Sequence, residues 1–365
     1  MYLLSNSTIS FFFLLHLILL AIGFIIAYAQ AKKIDILGVF FVACVYCFLN
    51  FSRTGFGVDE PVYLGAYKDY LRDGTLYFEY SFNFLYFLFS KIGITSELFN
   101  YVFSTVFILI SGITIVYCTS RPYQTLAFVF FLFFSITLDF VFNAYRQGMA
   151  FLFVMLFLHY YNKEMRKKAI LFFIIGLGFH WSAIIVFIAV MLRRLISMRN
   201  AVRLNLAIIV FTLLAAALPL KIIPVIGNML SVVNFGSPYI SKIIGYINSP
   251  IAYFYDLNML GRLPLIVAAL VMLIVTYLYR KVIPEIYYKV TIILMLYCLF
   301  FLEMSYSFRN YYWVLPILPF LMANIPAWLH TSRGRRSAII IMTAFHLILS
   351  ITGYYTSGIM ALIFI

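Results

Sequence analysis

The chain predicts an all-α, polytopic integral membrane protein with about 10–12 membrane helices. Three observations carry that expectation. The 365 residues are 65% hydrophobic and only 10% charged, with a mean hydropathy of +1.03, which excludes a soluble globular chain. Apolar runs approaching the roughly 20 residues that a spanning helix needs recur from end to end. The basic residues gather in short loops between those runs, so the net charge of +14 reads as membrane topology and not as a nucleic-acid-binding surface. Aromatic residues at 20% suit lipid-facing helices and interfacial belts.

The first apolar run lacks a basic leader and a small-residue cleavage site, so it reads as a retained helix over residues 10–30. Helices are then expected over residues 34–51, 98–118, 123–138, 145–161, 169–179, 183–196, 204–220, 263–279, 290–302, 311–329 and 337–355. Between them, residues 52–96 and 221–262 are too polar to span and read as amphipathic segments on the outer leaflet. No internal repeat, low-complexity tract or domain boundary stands out, so residues 1–365 are expected to form one membrane domain. Cys44 and Cys47 have redox spacing but lie inside an apolar helix, and neither a disulfide framework nor a metal site is expected from the four cysteines.

The two short runs flanking His180 decide the topology. Lys163, Arg166, Lys167 and Lys168 precede them, and Arg193, Arg194, Arg199 and Arg203 follow. A hairpin turning at His180 returns both clusters to one side and places 17 of the 26 basic residues in cytoplasmic loops against 9 outside. A single continuous span gives 11 inside against 15 outside, so the positive-inside rule selects the hairpin, whose arms either cross or form a re-entrant pair. Both termini then lie outside, as do Asp59, Arg146, His180, Arg262 and Arg309. Of the 12 acidic residues, only Asp35, Glu164 and Glu285 fall inside.

Four polar islands interrupt the apolar sequence. Asp139, Asn143 and Arg146 share a helical face, and Gln147 and Gly148 follow with amide donors and close backbone approach. The plainer alternative is an interfacial arginine paired with Asp139. His180 sits at a turn between Gly178 and Trp181-Ser182, where an imidazole suits a general base or a phosphate donor, and Ser182 suits a helix cap. Arg309-Asn310 lies at the start of a late helix, with Glu303 six residues back as its alternative partner. Two arginine forks suit a pyrophosphate better than a monoanion. Asp59 with Tyr63, in a turn marked by Gly55, Gly57 and Pro61, suits sugar-hydroxyl binding or proton abstraction, or is a solvated loop acid. No Asp-x-Asp pair, P-loop or serine-hydrolase elbow is present.

In their order and spacing the islands resemble the EpsG-type family of bacterial polysaccharide polymerases, related to Wzy O-antigen polymerases. The resembling residues are Gly57-Val-Asp59 with Tyr63, Tyr80-Ser-Phe-Asn-Phe84, Tyr145-Arg146-Gln147-Gly148-Met149-Ala150, Gly178-Phe-His180-Trp-Ser182-Ala183 and Arg309-Asn310-Tyr311-Tyr312. The Arg-Gln-Gly-x-Ala and Phe-His-x-Ser-Ala pair, joined by a Lys-rich loop, is the specific part. The resemblance implies a glycosyltransferase of the inner membrane that polymerises undecaprenyl-pyrophosphate-linked oligosaccharide repeat units at the periplasmic face, without cofactor or nucleotide site. A flippase and a chain-length regulator of the same pathway are the implied partners, beside membrane lipid. On this reading Arg146 and Arg309 clamp the pyrophosphate across a cleft roofed by residues 52–96 and 221–262, and Arg262 binds a second pyrophosphate. Gln147, Tyr63 and Asn310 contribute further contacts, and His180 or Asp59 takes the acceptor proton. His180 is the first choice, because its turn is fixed while Asp59 lies in a looser segment. A flippase for the same lipid-linked unit, an O-antigen ligase and a membrane acyltransferase are the competing functions.

Overall fold

Fifteen α-helices and no strand occur among the described residues of the computed structural model, which are 6–219, 241, 244, 245, 247 and 254–364. The chain is an all-α polytopic membrane protein. Six helices of the described residues are long and apolar enough to cross a bilayer: α1 (Asn6–Tyr28), α2 (Asp35–Ser52), α5 (Phe99–Cys118), α11 (Met198–Ala217), α12 (Met259–Leu278) and α15 (Ser332–Thr356). A bent pair, α6 (Gln124–Leu132) and α7 (Ser135–Phe142), makes a seventh if counted as one span. The remaining apolar runs form α8 (Tyr145–Asn162), which equals α2 in length but has polar ends, and the shorter helices α9 (Arg166–Phe179), α10 (Ile184–Leu192), α13 (Glu285–Phe300) and α14 (Ile317–Trp328).

Two expected helices are broken. The run at 123–138 bends by 74° after Leu132. The Leu132 carbonyl accepts from the Tyr46 hydroxyl at 2.8 Å and the Phe133 carbonyl from the Tyr354 hydroxyl at 2.8 Å. Those two phenols replace helical hydrogen bonds that a buried break would otherwise leave unmade. The run at 311–329 splits into a 3₁₀ stretch (Ser307–Trp313) and α14, with Pro316 capping the second piece.

The chain divides into two compact units, Met1–Phe187 with Pro316–Ile365, and Ile188–Leu315. In the first, α8 is buried along most of its length and packs against α9 and α5, while α6 packs against α1, α2 and α14. The His16 and His346 Nε2 atoms meet at 2.9 Å, joining α1 to α15 in the interior. At one end of this unit the buried Asp35 carboxylate caps α6, accepting from the Gln124 N–H at 3.0 Å and the Thr125 N–H at 2.9 Å. Lys32, Lys33 and Arg121 lie in the loops of that end.

The opposite end collects the termini of α2, α7 and α9 and the starts of α3 (Glu60–Asp73), α4 (Tyr80–Lys91) and α8. The residue 359–364 tail joins them, its Ile363 carbonyl accepting from the N–H groups of Thr54 at 3.1 Å and Gly55 at 3.2 Å. The segment at 52–96 is therefore two short helices. In α3 the buried face is Glu60, Tyr63, Ala66 and Tyr67, with Lys68 and Arg72 exposed. The segment expected at 221–262 lies largely outside the described residues.

In the second unit α11 packs against α12 and α13, and Asn205 Nδ2 donates to Thr276 at 3.1 Å and to the Tyr288 hydroxyl at 3.2 Å.

Candidate functional site

Arg146 sits in the first turn of α8, immediately after a sharp junction with α7. The Asp139 carbonyl accepts from both Asn143 N–H at 2.8 Å and Ala144 N–H at 2.7 Å, which closes the junction. The Asn143 side chain then points two ways. Its Nδ2 donates to Asp139 Oδ1 at 2.8 Å, and its Oδ1 accepts from the backbone N–H of Asp59 at 2.7 Å. Asp59 is thus tied to the α7–α8 junction, and its segment is not the loose one expected from the sequence. Gly57 allows this docking, since a Cβ there would run into the Phe142 carbonyl.

Arg146 does not pair with Asp139. Its Nη1 donates to Glu79 Oε2 at 2.7 Å, and its guanidinium lies 4.6 Å from the centre of the Phe78 ring. The Arg146 side chain is 27% exposed and that of Glu79 only 8%, so the pair is partly withdrawn from solvent but still reachable at the arginine. Glu79 is held there at the N-cap position of α4. The Tyr80 hydroxyl donates to the Ile174 carbonyl at 2.6 Å and the Ser81 hydroxyl to the Ile175 carbonyl at 3.2 Å, pinning α4 to the end of α9. Gly178 leaves the room, because a Cβ there would meet Tyr80 and Ser81.

A second charged group lies directly behind these residues. Glu60 accepts from Arg53, from the Gly57 N–H at 2.8 Å and from the Tyr145 hydroxyl. Arg53 and Glu60 are a fully enclosed ion pair, their side chains 3% and 2% exposed. The Arg53 guanidinium stacks near Phe142 at 4.9 Å and Tyr101 at 5.6 Å. Burial works against the Arg53 charge, but the hydrogen bonds and charge of Glu60 outweigh it and hold the guanidinium above its ordinary value. Tyr63 stacks on Tyr145 at 5.1 Å and also contacts Phe78 and Phe82, so the aromatic wall runs from α3 to the start of α8. Gln147 is buried one residue beyond Arg146.

His180 ends α9 in an extended conformation, and the chain turns back, bringing the Phe187 ring to 4.8 Å from Phe173. The hairpin is present as expected, but the capping is inverted. His180 Nδ1 accepts from the Ser182 N–H at 3.2 Å and lies 2.7 Å from the Ser182 hydroxyl. An accepting Nδ1 places the ring proton of neutral His180 on Nε2, so the imidazole presents a donor. Trp181, beside it, lies edge-on to Tyr80 at 6.5 Å. Through α4 the hairpin therefore adjoins Glu79 and Arg146.

The other candidates belong to the second unit. Arg309 lies within the 3₁₀ stretch after Tyr306, whose backbone is left-handed at φ 53°, and its guanidinium is 5.3 Å from the Tyr306 ring centre. Asn310 Oδ1 accepts from the Tyr297 hydroxyl at 3.0 Å, and Glu303 is buried nearby in sequence. Arg262 directs all three nitrogens to backbone carbonyls, of Leu257 at 2.8 Å, Tyr255 at 2.7 Å and Ala216 at 3.3 Å. That side chain clasps the start of α12 to the end of α11, a use the sequence did not suggest.

The first unit thus brings Asp59, Tyr63 and Arg146 into one continuous set of contacts, with Gln147 buried beside Arg146 in sequence and His180 adjoining through α4. Sequence reasoning passed over Arg53, Glu60 and Glu79. The available signal for Arg53 and Glu60 was their place in and beside the Gly57–Tyr63 island, and for Glu79 its place just before Tyr80, although the pairings could not be read from spacing. Among the described residues no three His, Cys, Asp or Glu side chains are placed to hold a metal ion.

No curated protein and no solved structure matches the chain. The EpsG family model matches residues 40–363, a span that includes every side chain of the sites described above. With that extent matched, the chain belongs to the EpsG family, the family of Wzy-like polysaccharide polymerases.

Proposed function

We propose that this protein is a membrane glycosyltransferase that joins undecaprenyl-pyrophosphate-linked oligosaccharide repeat units into a surface polysaccharide, at the periplasmic face of a bacterial inner membrane. Arg146 carries the reading. It is a partly exposed cation at the polar end of the first unit, set between a buried carboxylate and an aromatic ring. An arginine held in this way has its fork oriented before any substrate arrives.

In the proposed reaction an acceptor sugar hydroxyl attacks the anomeric carbon of the donor chain. The bond from that carbon to the pyrophosphate oxygen breaks, and undecaprenyl pyrophosphate leaves with the electron pair. Charge on the leaving group grows in the transition state, where Arg146 stabilises it without reorganising. One such contact is worth on the order of 3 kcal/mol, or about a hundredfold in rate. Asp59, anchored through its backbone to Asn143, accepts the hydroxyl proton. His180 donates from Nε2 to a phosphate oxygen, in keeping with its accepting Nδ1. This exchanges the sequence-based preference for His180 as base, because both residues are anchored and the accepting nitrogen of His180 is already engaged by Ser182. Arg309 is proposed as a further phosphate donor, to be judged by its own substitution. A flippase and a chain-length regulator are the proposed pathway partners.

A chromosomal deletion tests the class of function. Lipopolysaccharide carrying a single repeat unit is the expected phenotype. Absence of any repeat unit would indicate a flippase or ligase, and full-length chains lacking an acyl group would indicate an acyltransferase.

A further inference from the structure

Asp59 and Arg146 lie 87 positions apart in the sequence, yet each adjoins a member of the same buried cluster: Glu60 follows Asp59, and Tyr145 precedes Arg146. Glu60 is where the two meet. Its carboxylate accepts the Tyr145 hydroxyl at the start of α8, the Gly57 N–H in the loop that carries Asp59, and the Arg53 fork at the end of α2. We infer that Glu60 is a positioning residue for glycosyl transfer, setting the Asp59 loop and the Arg146 turn in register through Gly57 and Tyr145. The inference rests on the polymerase reading above.

Stability alone is a poor reason for such a cluster. Removing two charges from water costs more than their attraction commonly returns, and apolar pairs of similar volume are often as stable or more so. What the ion pair supplies and an apolar pair does not is direction. A carboxylate fixed by Arg53 holds its remaining lone pairs at set angles toward Gly57 and Tyr145. Tyr145 is held by its ring as well, stacked on Phe103 at 4.3 Å and on Tyr63 at 5.1 Å, so its hydroxyl is aimed before the hydrogen bond forms. A second tie, Asn143 Oδ1 to the Asp59 N–H, runs parallel to the first. The loop and the turn are therefore joined at two points, one at the Asp59 backbone and one through Glu60, both just ahead of Arg146.

Three variants test this in proteoliposomes supplied with undecaprenyl-pyrophosphate-linked repeat units. Tyr145→Phe removes one hydroxyl and leaves the ring stack intact. It is expected to lower kcat about tenfold while KM for the lipid-linked unit stays within about twofold. Glu60→Gln is expected to lower kcat about a hundredfold, the scale at which misplaced catalytic groups lose rate. The double variant Arg53→Met/Glu60→Leu replaces the pair by apolar side chains. It is expected to melt at or above the wild-type temperature and still to show the hundredfold loss.

A readout independent of turnover accompanies them: modification of Arg146 by phenylglyoxal, mapped by mass spectrometry. Glu60→Gln and Tyr145→Phe are expected to raise its rate several-fold as the α8 turn loosens. Wild-type kcat in the double variant, or unchanged Arg146 modification in both single variants, overturns the inference. If the wild type makes no polymer, it is the polymerase reading that fails, and the modification rates still decide whether Glu60 positions Arg146.

Discussion

Arg146 is answered by Glu79 and Phe78, and not by the aspartate seven residues before it. The distinction changes what substitution does. Lysine keeps the charge but has no fork, and its ammonium cannot both hold Glu79 and present parallel donors to a pyrophosphate. Arg146→Lys is therefore expected to restore almost no polysaccharide in a polymerase-null strain, and Arg146→Ala to lower the initial rate about a hundredfold at matched membrane expression. Normal ladders from Arg146→Ala would remove it from the reaction. Asp59 and His180 are separable in the same assay, since His180→Gln retains a donor and Asp59→Asn removes the carboxylate that takes the proton. Asp59→Asn is expected to be the more damaging of the two, within the range of about 10²–10⁴-fold typical of a general base.

At the level of elements, the long apolar runs were legible to within a few residues because their ends are marked by charge and turn residues. Positions 34–51 became Asp35–Ser52, and 98–118 became Phe99–Cys118. The break after Leu132 was not legible. Nothing local forbids a helix there, and the phenols that satisfy the freed carbonyls come from Tyr46 and Tyr354, one on α2 and the other on α15. The Glu79–Arg146 and Glu60–Tyr145 pairings were hidden for the same reason, as each joins residues on separate helices. The hairpin at His180 was legible because two basic clusters flank a pair of runs too short to cross singly. Its orientation is open to labelling. In a cysteine-free background, Trp181→Cys, at a position 62% exposed, is expected to react with a membrane-impermeant maleimide added from outside. Ser197→Cys is expected to react only after permeabilisation. A Trp181→Cys protein labelled only from the cytoplasm would contradict the topology.

Over the whole molecule, composition announced a membrane protein and the spacing of the polar islands suggested the family, which the match over residues 40–363 establishes. Within the first unit the charges are sorted by end. Lys32, Lys33 and Arg121 lie in the loops around the Asp35 cap, and Arg53, Asp59, Glu60, Glu79 and Arg146 gather at the other. A transport path would string its charges through the interior. Among the described residues, the buried groups between the ends include the His16–His346 pair and the Tyr46 and Tyr354 hydroxyls, which the helices use on one another. Sorting by end suits chemistry performed at one surface. The most direct measurement is reconstitution of the purified protein in liposomes with a synthetic undecaprenyl-pyrophosphate-linked repeat unit as the sole substrate. The expected result is a ladder of lipid-linked oligomers, with one undecaprenyl pyrophosphate released for each new linkage, and loss of both in Arg146→Ala. Translocation of the intact unit without oligomers, or a ladder undiminished in Arg146→Ala, would contradict it.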